Sequence, residues 1–290
     1  MMILTRIKEA TEEFLCRLGR PGGATARPRN FEQQLYKACV REGDLAFDVG
    51  ANEGGVSIFL SRLAGPQGKV VAFEPVWPVY ERLCRNVQHA PFLRAPVVTV
   101  PCGLAEAEKT GSVQVPDGDF GTASLASAEK WGRLRRSSTM VSYECSFVTL
   151  DGFIRARRPG TPQFVKIDVE GAELLVLRGG QHLLSGEHRP LMLIEVFAPW
   201  ERAFDYGPWE VLWLLKSYGY GFFFACPEGL IEHVPTEGQP FPAPYVHGYN
   251  VVAFCRDEHG ERVESLERLR AGKGSGILPM TPPPEPNVIG

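Results

Sequence analysis

The 290-residue chain lacks a basic charge excess and long apolar runs, two features that mark particular classes of protein. It has no excess of positive charge, since 31 Lys and Arg face 34 Asp and Glu for a net charge of −3. Nucleic acids and anionic membranes usually call for a basic surface, so we expect no nucleic-acid partner. No run of about eighteen apolar residues occurs, so we expect no integral membrane contact.

The cysteines also exclude some classes of protein. There are seven, an odd number, and they are scattered without a CxxC pair. This pattern is typical of reduced thiols in a cytoplasmic protein and argues against a disulfide framework or a zinc site. We therefore predict a cytoplasmic location and no structural metal.

The chain divides into three parts by composition. Residues 1–42 are predicted to form a helical cap and a linker, which caps the domain or packs on a second subunit, so a homo-oligomer stays open. Residues 43–257 are predicted to form the main domain, with a flap inserted at about 104–150. Residues 258–290 are expected to hold a C-terminal helix and a disordered tail, "SGILPMTPPPEPNVIG", too rich in proline to join a sheet.

Short β-rich runs alternate with helical runs from about residue 45 onward. This alternation predicts an α/β fold with a mostly parallel sheet covered on both faces. The predicted strands are 45–49, 69–75, 96–102, 163–169, 191–197, 220–226 and 250–256. The predicted helices are 31–41, 55–63, 79–88, 173–184 and 208–218.

The stretch "FDVGANEGG" follows the first predicted strand. Glycines at Gly50 and Gly54 let the chain turn tightly and let a ligand approach the backbone, at the sheet edge where open α/β folds bind ligands. The loop departs from the G-x-G-x-x-G fingerprint of dinucleotide sites, and it carries the carboxylates of Asp48 and Glu53. Because these would repel a diphosphate, the loop favours a cationic ligand such as S-adenosylmethionine.

The second predicted strand ends in "AFEP". A carboxylate at Glu74, about 24 residues after Gly50, can accept both hydroxyls of an adenosine ribose. Dinucleotide-binding folds share this feature, so a nicotinamide cofactor stays open on this residue alone. Together with the acidic first loop, Glu74 favours S-adenosylmethionine.

The stretch "FVKIDVEGAELLVLRGG" forms a third motif. An apolar strand crossed by Lys166 delivers Asp168 and Glu170 to its carboxyl end, beside the predicted cofactor edge. Two carboxylates so close together indicate chemistry. The alternative is that Glu170 or Glu173 only favours the N-terminus of the next helix.

These motifs resemble the FkbM family of S-adenosylmethionine-dependent methyltransferases over roughly residues 45–197. The resemblance rests on "FDVGANEGGVSIFL", "VVAFEPVWPVYERLCRNV" and above all "VKIDVEGAELLVLRGG". It implies a Rossmann-like, seven-stranded class I methyltransferase fold whose antiparallel last strand lies between the fifth and sixth. It also implies that the cofactor contacts Asp48, Gly50, Ala51, Asn52, Gly54, Glu74, Cys102 and Gly103.

The resemblance implies O-methylation of a hydroxyl on a sugar, a glycan or a natural product. Because an alcohol is a weak nucleophile, a general base or a metal should assist, and the sequence offers Asp168, Glu170, Glu195 and His247. A divalent metal on the carboxylates is an alternative without a recognisable ligand spacing. Two other functions also stay open: a nicotinamide-dependent oxidoreductase and an inactive S-adenosylmethionine-binding protein.

Overall fold

The computed structural model describes residues 31–116, 119–135, 139–226, 229–236 and 249–270. The N-terminal helix that we predict before residue 31 and the Pro-rich tail lie outside these ranges. The strands are β1 (Leu45–Val49), β2 (Lys69–Phe73), β3 (Val97–Val100), β4 (Gly103–Leu104), β5 (Lys109–Pro116), β6 (Met140–Val148), β7 (Phe164–Ile167), β8 (Leu191–Val196), β9 (Gly221–Cys226), β10 (Gly229–His233) and β11 (Tyr249–Phe254). The α-helices are α1 (Phe31–Cys39), α2 (Gly55–Ala64), α3 (Trp77–His89), α4 (Ala128–Arg135), α5 (Leu150–Arg157), α6 (Glu173–Arg178), α7 (Gln181–Ser185), α8 (Ala198–Glu201), α9 (Pro208–Ser217) and α10 (Arg256–Glu267), with 3-10 turns at Phe120–Thr122 and Arg202–Phe204.

The main sheet confirms the predicted α/β class. Within the described residues, eight strands lie in the order β10-β9-β11-β8-β7-β1-β2-β3. The five strands from β8 to β3 pair in parallel, whereas β11 runs antiparallel to both β8 and β9. The reversed last strand thus lies between the fifth and sixth predicted strands, which is the class I methyltransferase order that the resemblance implies.

Two details differ from the prediction. The sheet has an eighth strand, β10, which pairs antiparallel with β9 at the edge and buries Leu230 and Ile231. The helix predicted over residues 173–184 is two helices, α6 and α7, separated by Gly179 and Gly180. Two successive glycines cost a helix interior about 1 kcal/mol each, so the break falls there.

Apolar side chains cover both faces of the sheet. On one face Phe47, Phe73 and Phe153 meet edge to face, with α5, α6 and α9 packed above them. On the other face α1, α2 and α10 pack on Ala46 and Phe164. Strands buried on both faces read as continuous apolar runs, as these do in the sequence.

A second, three-stranded sheet lies in the segment that we predicted as a flap. Its order is β4-β6-β5, with β5 antiparallel and β4 parallel to β6. The 3-10 turn at Phe120–Thr122 and helix α4 connect β5 to β6. This small sheet stands beside the carboxyl ends of the main strands and forms one wall of the site described next.

Candidate active site

A cavity of about 540 Å³ opens at the carboxyl edge of the parallel strands. Its walls come from the loops after β1, β2, β7 and β8, from α1, from β11 and from the small sheet. Main-sheet residues in the lining include Gly50, Ala51, Asn52, Glu74, Lys166, Asp168, Glu170, Glu195 and Asn250. Residues of the small sheet and its turns include Gly103, Leu104, Val113, Phe120, Gly121, Thr122, Ala123, Leu125 and Phe147.

The loop after β1 bends sharply at Gly50. The amides of Gly50 and Ala51 both donate to the carbonyl of Phe73, at 3.1 and 2.9 Å, so the loop folds over the end of β2. Gly50 has φ +79, and a Cβ at this position would lie 1.9 Å from the carbonyl oxygen of Asp168. Only glycine allows the ends of β1 and β7 to approach so closely.

Glu74 holds the loop after β1 to the loop after β2. Its Oε2 accepts from the amide of Asn52 at 3.0 Å, and its Oε1 accepts from the amide of Val76 at 2.9 Å. Burial raises the pKa of Glu74 to about 7, against these two hydrogen bonds. The carboxyl therefore lies fixed in the cavity wall, with both oxygens already oriented by the backbone.

Lys166 lies beneath the cavity, where three groups surround its ammonium. Nζ donates to the carbonyl of Gly50 at 3.0 Å and lies 3.2 Å from Asp168 Oδ2 and 3.5 Å from Asp48 Oδ1. Burial disfavours the charge, but Asp168 and Asp48 outweigh it and raise the pKa of Lys166 above its usual value. Asp48 itself is fully buried and accepts from Ser57 Oγ on α2 at 2.5 Å.

Asp168 and Glu195 form a hydrogen-bonded carboxyl pair in the cavity wall. Burial, followed by the charge of Asp168, raises the pKa of Glu195 well above its usual range. Burial also disfavours the charged form of Asp168, but Lys166 and the hydrogen bond with Glu195 hold the pKa of Asp168 below its usual value. Both directions favour the negative charge on Asp168 over a negative charge on Glu195, and the two carboxyls titrate as a pair.

The loop after β7 is held in an unusual conformation. Glu170 has φ +55 and Gly171 φ +97. Glu173 Oε1 accepts from the amides of Val169 and Gly171 at 3.1 and 3.2 Å, and Ser124 Oγ of the flap donates to the carbonyl of Glu170 at 2.8 Å. These bonds stabilise Glu170 in its left-handed conformation, which costs about 1 kcal/mol or more of conformational free energy. The bond from Ser124 also ties the flap to the loop.

Aromatic side chains flank the carboxylates. Trp200 and Phe120 line the cavity. Trp131 is fully buried, and its Nε1 donates to the carbonyl of Thr122 at 2.9 Å. It packs behind Trp200, with ring centroids 6.1 Å apart, and supports the wall without facing the cavity.

Helix α1 supplies site residues that the sequence did not indicate. Glu32 and Tyr36 line the cavity, and the hydroxyl of Tyr36 donates to Glu32 Oε1 at 3.3 Å. Their spacing of four residues on a helix was visible in "FEQQLY", but nothing local showed that this helix faces the site. Asn250, which pairs in register with Glu195 across β11 and β8, was missed for the same reason.

The predicted site residues fall into three groups. Those that line the cavity are Gly50, Ala51, Asn52, Glu74, Gly103, Asp168, Glu170 and Glu195. Asp48, Gly54 and Cys102 lie behind the lining, Asp48 against Lys166, Gly54 against Leu83 and Cys102 in the main apolar core. His247 lies outside the described residues, so its role stays a prediction.

The charges of the lining suit a cationic cofactor. Among its described residues five carry carboxyl groups, namely Glu32, Glu74, Asp168, Glu170 and Glu195, against one basic side chain, Lys166. Within the described parts of the chain, no three His, Cys, Asp or Glu side chains are placed to hold a metal ion together. No helix in those parts is both long and apolar enough to cross a membrane.

Comparison with known proteins gives one family. The family model described as "Methyltransferase FkbM domain" matches residues 48–222, more than half of the chain. The match includes the three motifs of the sequence analysis except Phe47, the first residue of the first motif.

Two curated relatives match part of the chain. The hexuronic acid methyltransferase AglP of Haloferax volcanii is 27% identical over 170 residues, which cover 58% of this chain and 63% of that protein. The methyltransferase sdnD of Sordaria araneosa is 31% identical over 175 residues, which cover 53% of this chain and 65% of that protein. The chain thus spans less than two thirds of the length of both relatives.

Among solved structures, the methyltransferase FkbM from Methylobacillus flagellatus KT aligns with a TM-score of 0.46 at 17% identity. The alignment covers 76% of this chain and 48% of that chain.

Proposed function

Because the chain belongs to the FkbM methyltransferase domain family, we propose that it methylates a hydroxyl oxygen of a sugar, a glycan or a hydroxylated natural product. The observation that carries the proposal is the Asp168–Glu195 pair, which faces the same cavity as Glu74 and the loop after β1. The match with a relative named for its action on hexuronic acid supports a sugar acceptor.

The cofactor is S-adenosylmethionine. When bound, it supplies a methyl group on a positively charged sulfur. The loop from Gly50 to Asn52 would hold its methionine part, and Glu74 would accept the ribose hydroxyls. Gly103 and Leu104 would lie against the adenine, in place of the Cys102 side chain, which the core encloses.

Asp168 would orient the acceptor hydroxyl and take its proton as the new oxygen–carbon bond forms and the bond between the methyl carbon and the sulfur breaks, with S-adenosylhomocysteine as the leaving group. As the anion of the pair, Asp168 can accept this proton, and Glu195 holds the Asp168 carboxylate in place through their hydrogen bond. Holding the hydroxyl in line in a water-poor cavity contributes much of the acceleration in such displacements. General-base assistance adds about 10²–10⁴-fold.

A two-step experiment tests the proposal. Calorimetric titration of the purified protein with S-adenosylmethionine should show binding. Transfer of labelled methyl to a panel of glycosides and hydroxylated natural products, with the product identified by NMR, should then show an O-methyl group.

The Asp168→Asn variant should lower turnover by about 10²–10⁴-fold, whereas Asp257→Asn, at an exposed position of α10, should leave it unchanged. Absence of cofactor binding, methylation at nitrogen or carbon, or full activity of Asp168→Asn would contradict the proposal.

A further inference from the structure

We infer that Lys166 is a positioning residue whose single ammonium ties the cofactor loop to Asp168 and supplies the counter-charge of that carboxylate. The inference rests on the proposed function, because it assigns S-adenosylmethionine to the cavity beside the loop. Neither the family match nor the names of the relatives assign a role to this lysine.

The position of Lys166 in the sheet explains which groups its ammonium contacts. It is the third residue of β7, and it pairs in register with Asp48 of β1 on one side and with Leu193 of β8 on the other. All four residues of β7 are buried, so a lysine there needs partners. It finds the carbonyl of Gly50, 116 residues earlier in the chain, at 3.0 Å, and Asp168 two residues later at 3.2 Å.

Most ionisable groups around Lys166 are acidic. Within the described residues, Lys166 is the cation that pairs with Asp48 and Asp168. The ionisable groups that face this centre come from β1, β2, the loop after β7, α6, β8 and α1, and they are Asp48, Glu74, Asp168, Glu170, Glu173, Glu195, Glu32 and Tyr36. Without the ammonium, Asp168, whose side chain is 36% exposed, would face like charges with no opposing cation.

The charge of Asp168 matters for the methyl donor. The backbone of Asp168 contacts Gly50, in the loop that would hold the methionine part of the cofactor. S-adenosylmethionine carries a sulfonium charge that S-adenosylhomocysteine lacks, whereas the ribose and the amino acid group are common to both. The ratio of the two affinities therefore reports negative charge near the sulfur. Ionisation of Glu74 affects both ligands and cancels in this ratio.

The experiment measures both affinities by calorimetry between about pH 5.5 and about pH 8, the range in which a carboxyl without its counter-charge can titrate. In the wild type the preference for S-adenosylmethionine over S-adenosylhomocysteine should change less than about twofold across this range. In Lys166→Met the preference should fall about tenfold or more toward the acidic end, because Asp168 takes up a proton. Lys166→Arg, which keeps the charge, should restore the flat profile. Lys109→Met, at an exposed residue of β5, should match the wild type.

Lys166→Met leaves Asp48 buried without a cation, which destabilises the fold. A second pair of variants therefore separates misfolding from the loss of the counter-charge. Asp48→Asn with Lys166→Met removes both buried charges and should still show the pH-dependent loss, whereas Asp48→Asn alone should not. A flat preference in the variants that lack Lys166 would overturn the inference while leaving the proposed function intact. Failure of the wild type to bind S-adenosylmethionine would overturn both.

Discussion

Glu74 joins the loop after β1 to the loop after β2 through two main-chain hydrogen bonds of its carboxyl group. An acidic residue just after a predicted strand suggested a ribose contact, and the carboxyl does lie in the cavity wall. The structure adds that both oxygens accept main-chain amides, from Asn52 and Val76. Its side chain therefore shapes two loops of the site in addition to any contact with the cofactor.

We expect Glu74→Ala to weaken S-adenosylmethionine binding by about 1–3 kcal/mol, since two buried amides and two ribose hydroxyls lose their acceptor. Glu74→Gln should lose less, because its carbonyl oxygen can still accept one of the amides. Isothermal titration calorimetry measures both, with Glu81→Ala at an exposed position of α3 as the control. Wild-type affinity in Glu74→Ala would show that the ribose lies elsewhere.

Other site residues could not be found from the sequence because their roles depend on which elements become neighbours. Lys166 stood out only as a charge in an apolar run, and one of its partners, the carbonyl of Gly50, is 116 residues away. Tyr36 and Glu32 lie in a helix with no local mark of a site. Asp48 was predicted to contact the cofactor, and the structure places its side chain against Ser57 and Lys166 behind the lining.

At the scale of elements, continuous apolar runs made the seven strands of the main sheet predictable. Strands buried on both faces are mostly apolar, and the sequence shows this directly apart from single charged residues such as Asp48 in β1 and Lys166 in β7. The short strands β4 and β10 carry no such run. β4 pairs with β6, which is distant in sequence. β10 pairs with β9 at the edge of the sheet, and the sequence did not predict this pairing. Gly179 and Gly180 separate helices α6 and α7, which the apolar spacing had predicted as one helix.

The loop between β1 and α2 gives a prediction at this scale. Gly50→Ala should destabilise the protein by about 2–4 kcal/mol and abolish cofactor binding, because φ is +79 and the new Cβ would overlap the carbonyl of Asp168. Gly260→Ala is the matched control, since its Cβ would meet nothing within 4 Å in helix α10. That change should be neutral or stabilise by up to about 1 kcal/mol. Chemical denaturation of both variants measures the difference, and equal effects would contradict the close approach of β1 and β7.

At the scale of the whole molecule, buried carboxyl groups link stability to pH. Burial raises the pKa of Glu74 and Glu173 to about 7, and burial and neighbouring carboxylates raise those of Glu195 and Glu201 well above the usual value. Between the ordinary pKa and the raised one, the folded state holds protons that the unfolded state releases. The stability of the unliganded protein should therefore fall as pH rises through this window.

Two histidines act in the opposite direction. Burial lowers the pKa of His233 and His259. The amide of Cys255 donates to Nδ1 of His259, which favours the neutral ring, although the hydrogen bond between Nε2 and the carbonyl of Arg189 acts in the other direction. Below the ordinary histidine pKa the unfolded state binds protons that the folded state does not bind. The free energy of unfolding therefore falls as the pH decreases in this range. A single pH profile of the wild type mixes the two effects, and a variant must separate them.

Glu201 separates them, because it lies outside the cavity lining and is fully buried, with no hydrogen-bond partner for either carboxyl oxygen among the described residues. Glu201→Met replaces this carboxyl by an apolar group of similar length, and relative to the wild type it should become more stabilising from pH 5 to pH 8 by about 1–3 kcal/mol. The exposed Glu264→Met on α10 should show no such trend. Urea denaturation at the two pH values provides the measurement. If the two variants respond to pH alike, Glu201 is ionised in the folded protein, and a cation or water must then solvate it.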